Sequence, residues 1–374
     1  MKYKLSELFE RPISGEWGKE LEEGKCGSKV IRTTNFTNIG RLNLNDVVER
    51  DIDIEKYEGK LLKIGDIIIE KSGGSPNQPV GRVVIFEENT SEKYFCNNFT
   101  SILRPKNIIT SKYALYLLKD LYNKRKVLKY QNKTTGIINL KLNDYLNNTE
   151  INIPSIEEQI KISTILGKSQ ELIDKRKEQI EVLDELVKSQ FIEMFGDPII
   201  NSKGLQIKNF EEVVRLQRGF DLPTYERDIN GNINVWGSNG VLSKHSTAKV
   251  DEPGVITGRS GSIGNVYYTL EPYWPLNTTL FSKNTFGNNV IYLSYLLKFY
   301  KLERFSNGTG VPTLNRNLLD GQKIINVPLE EQNCFADFVK QTDKLKFEME
   351  KSLKELEDNF NSLIQKAFNG ELVN

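Results

Sequence analysis

Two sets of short polar and basic side chains lie in Gly-rich loops of this chain. The first half carries Lys71-Ser72-Gly73-Gly74-Ser75, Arg82 and Asn97-Asn98-Phe99-Thr100. The second carries Val235-Trp236-Gly237-Ser238-Asn239-Gly240, Gly258-Arg259-Ser260-Gly261 and Asn277-Thr278-Thr279. Arg and Lys pair with guanine edges, Asn and Gln with adenine edges, and Ser or Thr with several groups. Backbone N–H groups and Lys hold phosphates. The candidate DNA contacts are therefore Lys71, Ser72, Gly73, Arg82, Asn97 and Asn98, then Trp236, Ser238, Asn239, Arg259, Ser260, Asn277, Thr278 and Thr309. Taken singly, each loop also has what a turn needs, Gly for positive φ and Asn for a bend. The informative feature is that there are two similar sets.

A basic stretch adds Lys124, Arg125, Lys133 and Thr134 to the candidates. Between Arg104 and Lys141 lie eight Lys and Arg residues, these three cations among them, opposed only by Asp120. Such a stretch can neutralise phosphates or form a solvated helix face. The formal net charge of +1 decides nothing either way.

Catalytic equipment is missing. His245 is the one histidine, beside Ser243, Lys244 and Ser246, and reads as a loop residue rather than a general base. Gly167-Lys168-Ser169 looks like the end of a phosphate-binding loop, but Ile162 stands where that loop needs Gly, and no strand precedes it. Pro272-Tyr273-Trp274-Pro275 has the wrong order for the Asn/Asp-Pro-Pro-aromatic tetrapeptide of an amino-methyltransferase. Cys26, Cys96 and Cys334 are too scattered for a zinc site or a disulfide framework and suit a reducing cytoplasm. No metal or cofactor is expected on this chain, and binding is the default reading.

The elements that must position these loops occur twice. Ile151-Asn152-Ile153-Pro154 followed by Glu157-Glu158-Gln159 returns as Ile325-Asn326-Val327-Pro328 followed by Glu330-Glu331-Gln332. The prolines are 174 residues apart, and Thr135-Gly136 and Thr309-Gly310 keep the same offset. A period this long is a domain, since solenoid units run to about 20–50 residues. Strands are expected at 65–70 and 80–86, and helices near 111–129 and 290–305.

Two long helices are expected, at about 157–195 and 330–368. Leu166, Ile173, Ile180, Val187 and Met194 recur every seven residues, with Ile162, Leu183 and Leu186 widening the stripe. In the second helix Phe335, Thr342, Met349, Leu356 and Leu363 recur, flanked by Val339, Leu353 and Phe360. A seven-residue repeat argues for a coiled-coil seam. Each helix is roughly 50–60 Å long at 1.5 Å per residue, and mutual antiparallel packing would dry both stripes. No apolar run approaches the roughly 20 residues of a membrane span, and the N-terminus lacks a signal-peptide core.

In this order, the motifs make the chain similar to the specificity (S) subunits of Type I restriction–modification systems. The carriers are the Pro–Glu-Glu-Gln starts at Pro154 and Pro328, Ser189 to Pro198 at the end of the first long helix, the Thr-Gly signatures at Thr135 and Thr309, and Val235 to Gly240 followed by Gly258-Arg259-Ser260-Gly261. The second start is one residue shorter, and the second ending reads Phe368-Asn369-Gly370-Glu371 instead of Phe-Gly-Asp-Pro.

The resemblance implies an α+β chain of two similar globular mixed α/β target-recognition domains, separated by a long antiparallel two-helix coiled coil. The segments would be 1–153 and 198–327 for the recognition domains, and 154–197 and 328–374 for the conserved helices. It implies a non-catalytic reader of a bipartite double-stranded DNA site in phage defence. The reader would direct two adenine-N6 methyltransferase (M) subunits, carrying S-adenosylmethionine, and restriction (R) subunits, using ATP and Mg. The alternatives are a recognition subunit of another phage-defence methyltransferase and a self-sufficient DNA methyltransferase or nuclease.

Overall fold

The computed structural model describes residues 2–75, 77–134, 137–307 and 312–372, the side chains of 133 and 134 excepted. Backbone contacts group the chain into two units, Met1–Lys175 with Lys354–Asn374, and Arg176–Leu353.

The first unit is built on strands β1 (Ile13–Ser14), β2 (Ile67–Glu70), β3 (Val83–Ile85) and β4 (Thr100–Leu103), helix α1 (Ser111–Asn123), and the N-terminal half of helix α2 (Ile156–Phe195). The antiparallel sheet has the order β1-β4-β2-β3. Every residue of β2 is buried: Ile67, Ile68 and Ile69 as an apolar run covered on both faces should be, and Glu70 through its pairing with Arg82. Helix α1 packs on β2 and β3. Against the sheet's other face, Ile68, Val84 and Ile102 meet Ile31, Tyr94 and Cys96 of a second, three-stranded sheet. In that sheet Ser28–Ile31 runs parallel to Tyr94–Cys96 and antiparallel to Val48–Arg50.

The second unit repeats this plan. Strands β5 (Arg215–Arg218), β6 (Gly254–Gly258), β7 (Val266–Thr269) and β8 (Thr279–Asn284) form an antiparallel sheet in the order β5-β8-β6-β7. Helix α3 (Val290–Phe299) packs on β6 and β7. A three-stranded sheet again combines a parallel pair, Ile233–Gly237 with Tyr273–Pro275, and an antiparallel neighbour, Gly240–His245. Helix α4 (Leu329–Asn369) follows. A short strand pair closes each domain, Lys2–Lys4 with Glu150–Asn152 and Ile207–Asn209 with Lys323–Ile325. In these sheets the two halves share one topology.

The repeated motifs hold each domain helix. Gln159 is fully buried: its Oε1 accepts the backbone N–H of Thr110, the N-cap of α1, at 2.8 Å, and its Nε2 donates to the carbonyls of Ile108 and Pro154. Gln332 does the same for α3: its Oε1 accepts the N–H of the N-cap Asn289 at 2.9 Å, and its Nε2 donates to Val327 O and Asn288 Oδ1. The one-residue difference between the two starts lies ahead of the helix. Ser155 forms a capping box with Glu158 in the first copy, while Pro328 itself takes that place in the second; the amides of Gln159 and Gln332 donate to Ser155 O and Pro328 O respectively.

The Phe–Gly endings complete the grip. Phe195 packs on Tyr292 of α3 at 5.1 Å, and Phe368 on Tyr113 of α1 at 5.5 Å. Gly196 then ends α2 at φ +71°, the left-handed C-cap that glycine adopts without penalty.

Within each unit the long helices run antiparallel. In the second, Phe335 meets Phe191 at 5.4 Å, and Lys346, further along α4, pairs with Asp184, further back along α2, at 2.7 Å. In the first, Glu158 and Ile162 near the start of α2 line one cavity with Ala367 and Phe368 near the end of α4. Of the expected seam, Leu166, Ile173, Leu183, Val187, Val339 and Phe360 are buried, and Ile180, Met349, Leu353 and Leu356 are half-buried.

Leu186 departs from the expected stripe and is 45% exposed, because Leu183 and Val187, four residues apart, already define the inward line. Leu128 is also exposed: α1 stops at Asn123, Arg125 turns left-handed at φ 55°, and a 3-10 turn carries Leu128 outward. His245 ends a strand rather than lying in a loop, and its Nδ1 accepts the amide of Asp228. Gly167-Lys168-Ser169 lies inside α2, as its decoy reading expects.

Candidate nucleic-acid interface

The loops at the ends of the two four-stranded sheets are built by matching hydrogen bonds. In the first domain Thr100 Oγ1 donates to Asn97 O at 2.8 Å, and in the second Thr279 Oγ1 donates to Leu276 O at 2.7 Å. Gly15 and Gly219 donate their amides to Thr100 O and Thr279 O. Both positions demand glycine for lack of room: an added Cβ would lie 2.0 Å from Asn97 O at Gly15 and 2.2 Å from Leu276 O at Gly219.

The same frame fixes one cation in each domain. Lys71 donates its amide to Phe99 O and accepts from Leu140 at its carbonyl; Arg259 donates to Thr278 O and accepts from Leu314. The next residues, Ser72 and Ser260, also donate to Phe99 O and Thr278 O. Lys71 and Arg259 are thus equivalent positions, each with its backbone tied on both sides.

Around Arg259 an open groove of about 890 Å³ is lined by Gln217, Arg218, Asp221, Arg259, Lys283, Thr313, Asn315, Arg316 and Asn317. Arg218, Lys283 and Arg316 are exposed, whereas Arg259 is half-buried. None of these four cations forms an ion pair or side-chain hydrogen bond with another described residue, and the groove's one acid, Asp221, accepts a hydrogen bond from Asn277 Nδ2. A groove with four unpaired cations, two Asn and one Gln has the donors that phosphates and purine edges require. Sequence reading passed over Gln217, Arg218, Lys283, Asn315, Arg316 and Asn317, which lie outside the Gly-rich loops; only their position at the sheet end unites them.

The corresponding positions of the first domain are more self-contained. Sheet register sets Ser14 opposite Ser101 as it sets Arg218 opposite Leu280. Lys71 Nζ donates to Ser14 Oγ at 2.6 Å, and burial pushes its ammonium pKa down. Ser72 Oγ donates to Asn139 Oδ1 at 2.6 Å. Gly73 lies in a short strand at φ +115°. Arg82 is held by Glu70, itself 2% exposed, through bonds of 2.8 and 3.1 Å, and the hydrogen bonds to Glu70 favour its charged form against the cost of burial. Asn97 is buried and Asn98 exposed.

In the basic stretch, Lys124 pairs with Asp120 at 2.8 Å and Arg104 with the buried Asp66 at 2.8 Å, while Arg125, Lys126 and Lys129 stay exposed. Lys133 and Thr134 belong to the strand Gln131–Thr134. In the second domain Trp236 is buried, Ser238 and Ser260 are half-buried beside each other's loops, Asn239 and Thr278 are exposed, and Asn277 is half-buried against Asp221. Thr309 lies outside the described residues.

Among the described residues no helix is long and apolar enough to cross a membrane. Known proteins agree with the duplicated architecture. The chain is 26% identical over 379 residues, covering 91% of it and 86% of the relative, to a putative type I restriction enzyme MjaX specificity subunit of Methanocaldococcus jannaschii. It is 25% identical over 273 residues, 62% of the chain and 64% of the relative, to the MjaVIII specificity subunit of that organism.

In fold it is similar to the S subunit of a type I restriction–modification system from M. genitalium, with a TM-score of 0.61 at 18% identity over 98% of this chain and 96% of that one. A chain from a study of complex assembly and conformational transition of the type I system gives 0.62 at 15% identity, over 100% and 98%. The family model for the type I restriction modification DNA specificity domain matches twice, at residues 1–183 and 202–358. With two such domains on one duplicated frame, the chain belongs to the type I restriction–modification DNA specificity family.

Proposed function

We propose that this chain reads a bipartite double-stranded DNA site, one half-site per recognition domain, and brings enzymes supplied by other chains to it. The observation that carries this reading is the equivalence of Lys71 and Arg259: one backbone frame, built twice, presents different side chains at the same position. Two copies of one reader with unlike tips suit two unlike half-sites. In this reading two methyltransferase subunits, which hold S-adenosylmethionine, methylate adenine N6 in each half. Restriction subunits, which use ATP and Mg, join to cleave unmodified DNA. The chain itself binds no cofactor, performs no chemistry and works in the cytoplasm. Long helices gripped at both ends by the domain helices α1 and α3 suit a spacer and a docking surface for the methyltransferases. An adenine must leave the base stack to react, so the reader also holds distorted DNA.

The test is modified-base sequencing of host DNA with and without this gene. Loss of one bipartite methyladenine motif on deletion is the expected result, and an unchanged set of motifs overturns the proposal.

A further inference from the structure

We infer that the position shared by Lys71 and Arg259 determines specificity in each reader, and that Arg259 recognises a guanine in the second half-site. This rests on the proposed function and adds the residue and the base. Reading a base edge takes a side chain held within a fraction of an ångström. The backbone that carries Arg259 is anchored in this way: its N–H and C=O are both bonded, to Thr278 and Leu314. Gly258 before it has no room for a side chain, since an added Cβ would lie 1.9 Å from Ser262 O, and Gly261 after it turns at φ +87°. Its guanidinium has no acidic partner among the described residues, so the planar fork remains available for the O6 and N7 acceptors of guanine. The other groove cations, Arg218, Lys283 and Arg316, are exposed and free to meet phosphates.

The first domain carries the internal comparison. At the position of Arg259 it has Lys71, an ammonium tied to Ser14 Oγ. Ser14 stands where the second domain has Arg218, and counting on from the paired threonines, Arg104, committed to Asp66, stands where it has Lys283. At the positions of Arg218, Arg259 and Lys283 the first reader therefore offers one free ammonium in a hydroxyl setting, and the second offers a fork with two further cations. The two half-sites should differ in base identity at this position.

The experiment uses the full chain assembled with its methyltransferase partner and reads the methylated motif by modified-base sequencing. Wild type should give a bipartite motif with a G·C pair in one half. Arg259→Lys keeps the stem and charge but lacks the fork, and should lower the preference for that pair at least tenfold at one position only. Lys71→Ala should relax a position in the opposite half. Arg316→Ala should weaken binding to all sequences alike and flatten its salt dependence. The inference is overturned if neither half holds a conserved G·C pair, if Arg259→Lys leaves every preference intact, or if the Arg259 and Lys71 variants relax the same half. In each of those cases a bipartite wild-type motif still upholds the proposed function, whereas a wild-type chain that adds no methylated motif overturns that function itself.

Discussion

Gln159 Oε1 accepts the backbone N–H of Thr110 at 2.8 Å, so the third residue of the Glu-Glu-Gln signature on one helix caps the start of another. The partnership of Gln332 with Asn289 repeats it. A motif that looks like a helix start is thus also the joint between a recognition domain and its long helix.

Removing that joint should be costly. Gln159→Ala leaves the Thr110 amide and two carbonyls without their partner and opens a void in a fully buried site. The expected loss is about 2–4 kcal/mol, from unsatisfied buried polar groups and the cavity together. Urea unfolding monitored by fluorescence should show a lower midpoint, and a midpoint equal to wild type would mean that the joint contributes nothing.

Arg82 can be sorted between structure and DNA contact. Its partner Glu70 is 2% exposed, so Arg82→Ala strands a buried carboxylate and should cost about 3–5 kcal/mol. Replacing both, Glu70→Leu with Arg82→Leu, should return most of that stability, since a well-packed apolar pair is often neutral. If the double variant recovers stability and still binds the cognate duplex as wild type does, Arg82 acts through Glu70; if binding is lost while stability returns, Arg82 touches DNA.

Lys119 gives a pH signature. Burial lowers its amine pKa from 10.5 to about 8, with Arg41 adding to the effect and Asp174 opposing it. Below pH 8 the amine is charged in both folded and unfolded chains, and the cost of burying it is fully present. As pH rises through 8 the folded form sheds its proton and the cost falls, until above 10.5 both forms are neutral. Lys119→Met should therefore stabilise the fold by up to about 3 kcal/mol near pH 7, with the gain shrinking steadily between pH 8 and 10.5. Unfolding measured at several pH values checks this, and a gain independent of pH would remove Lys119 as its cause.

Both long helices pass from one contact unit to the other, α2 after Lys175 and α4 after Leu353. Inserting about two helical turns at both points adds roughly 10 Å, or about three base pairs of B-DNA. The methylated motif should keep its two half-sites and gain about that much spacer. An unchanged spacer would count against the helices as its ruler.

The sequence by itself determined the duplication, the two long helices and the absence of catalytic motifs. These are properties of local pattern: Pro154 and Pro328 mark helix starts, heptad spacing from Leu166 to Val187 marks an apolar stripe, and Gly196 marks a stop. Local pattern also singled out Lys71 and Arg259, because Gly-rich loops around basic residues are visible along the chain.

What those residues can do was decided only by the tertiary structure. Arg82 and Arg259 look alike in sequence, each directly preceded by Gly, yet one faces a buried Glu70 twelve residues earlier while the other faces an open groove. Arg218, Lys283 and Arg316 are scattered over about a hundred residues and meet only because β5, β8 and the segment 313–317 come together at one groove. Charge pairing and convergence depend on distances through space, and those are set by sheet order and register rather than by residue spacing along the chain.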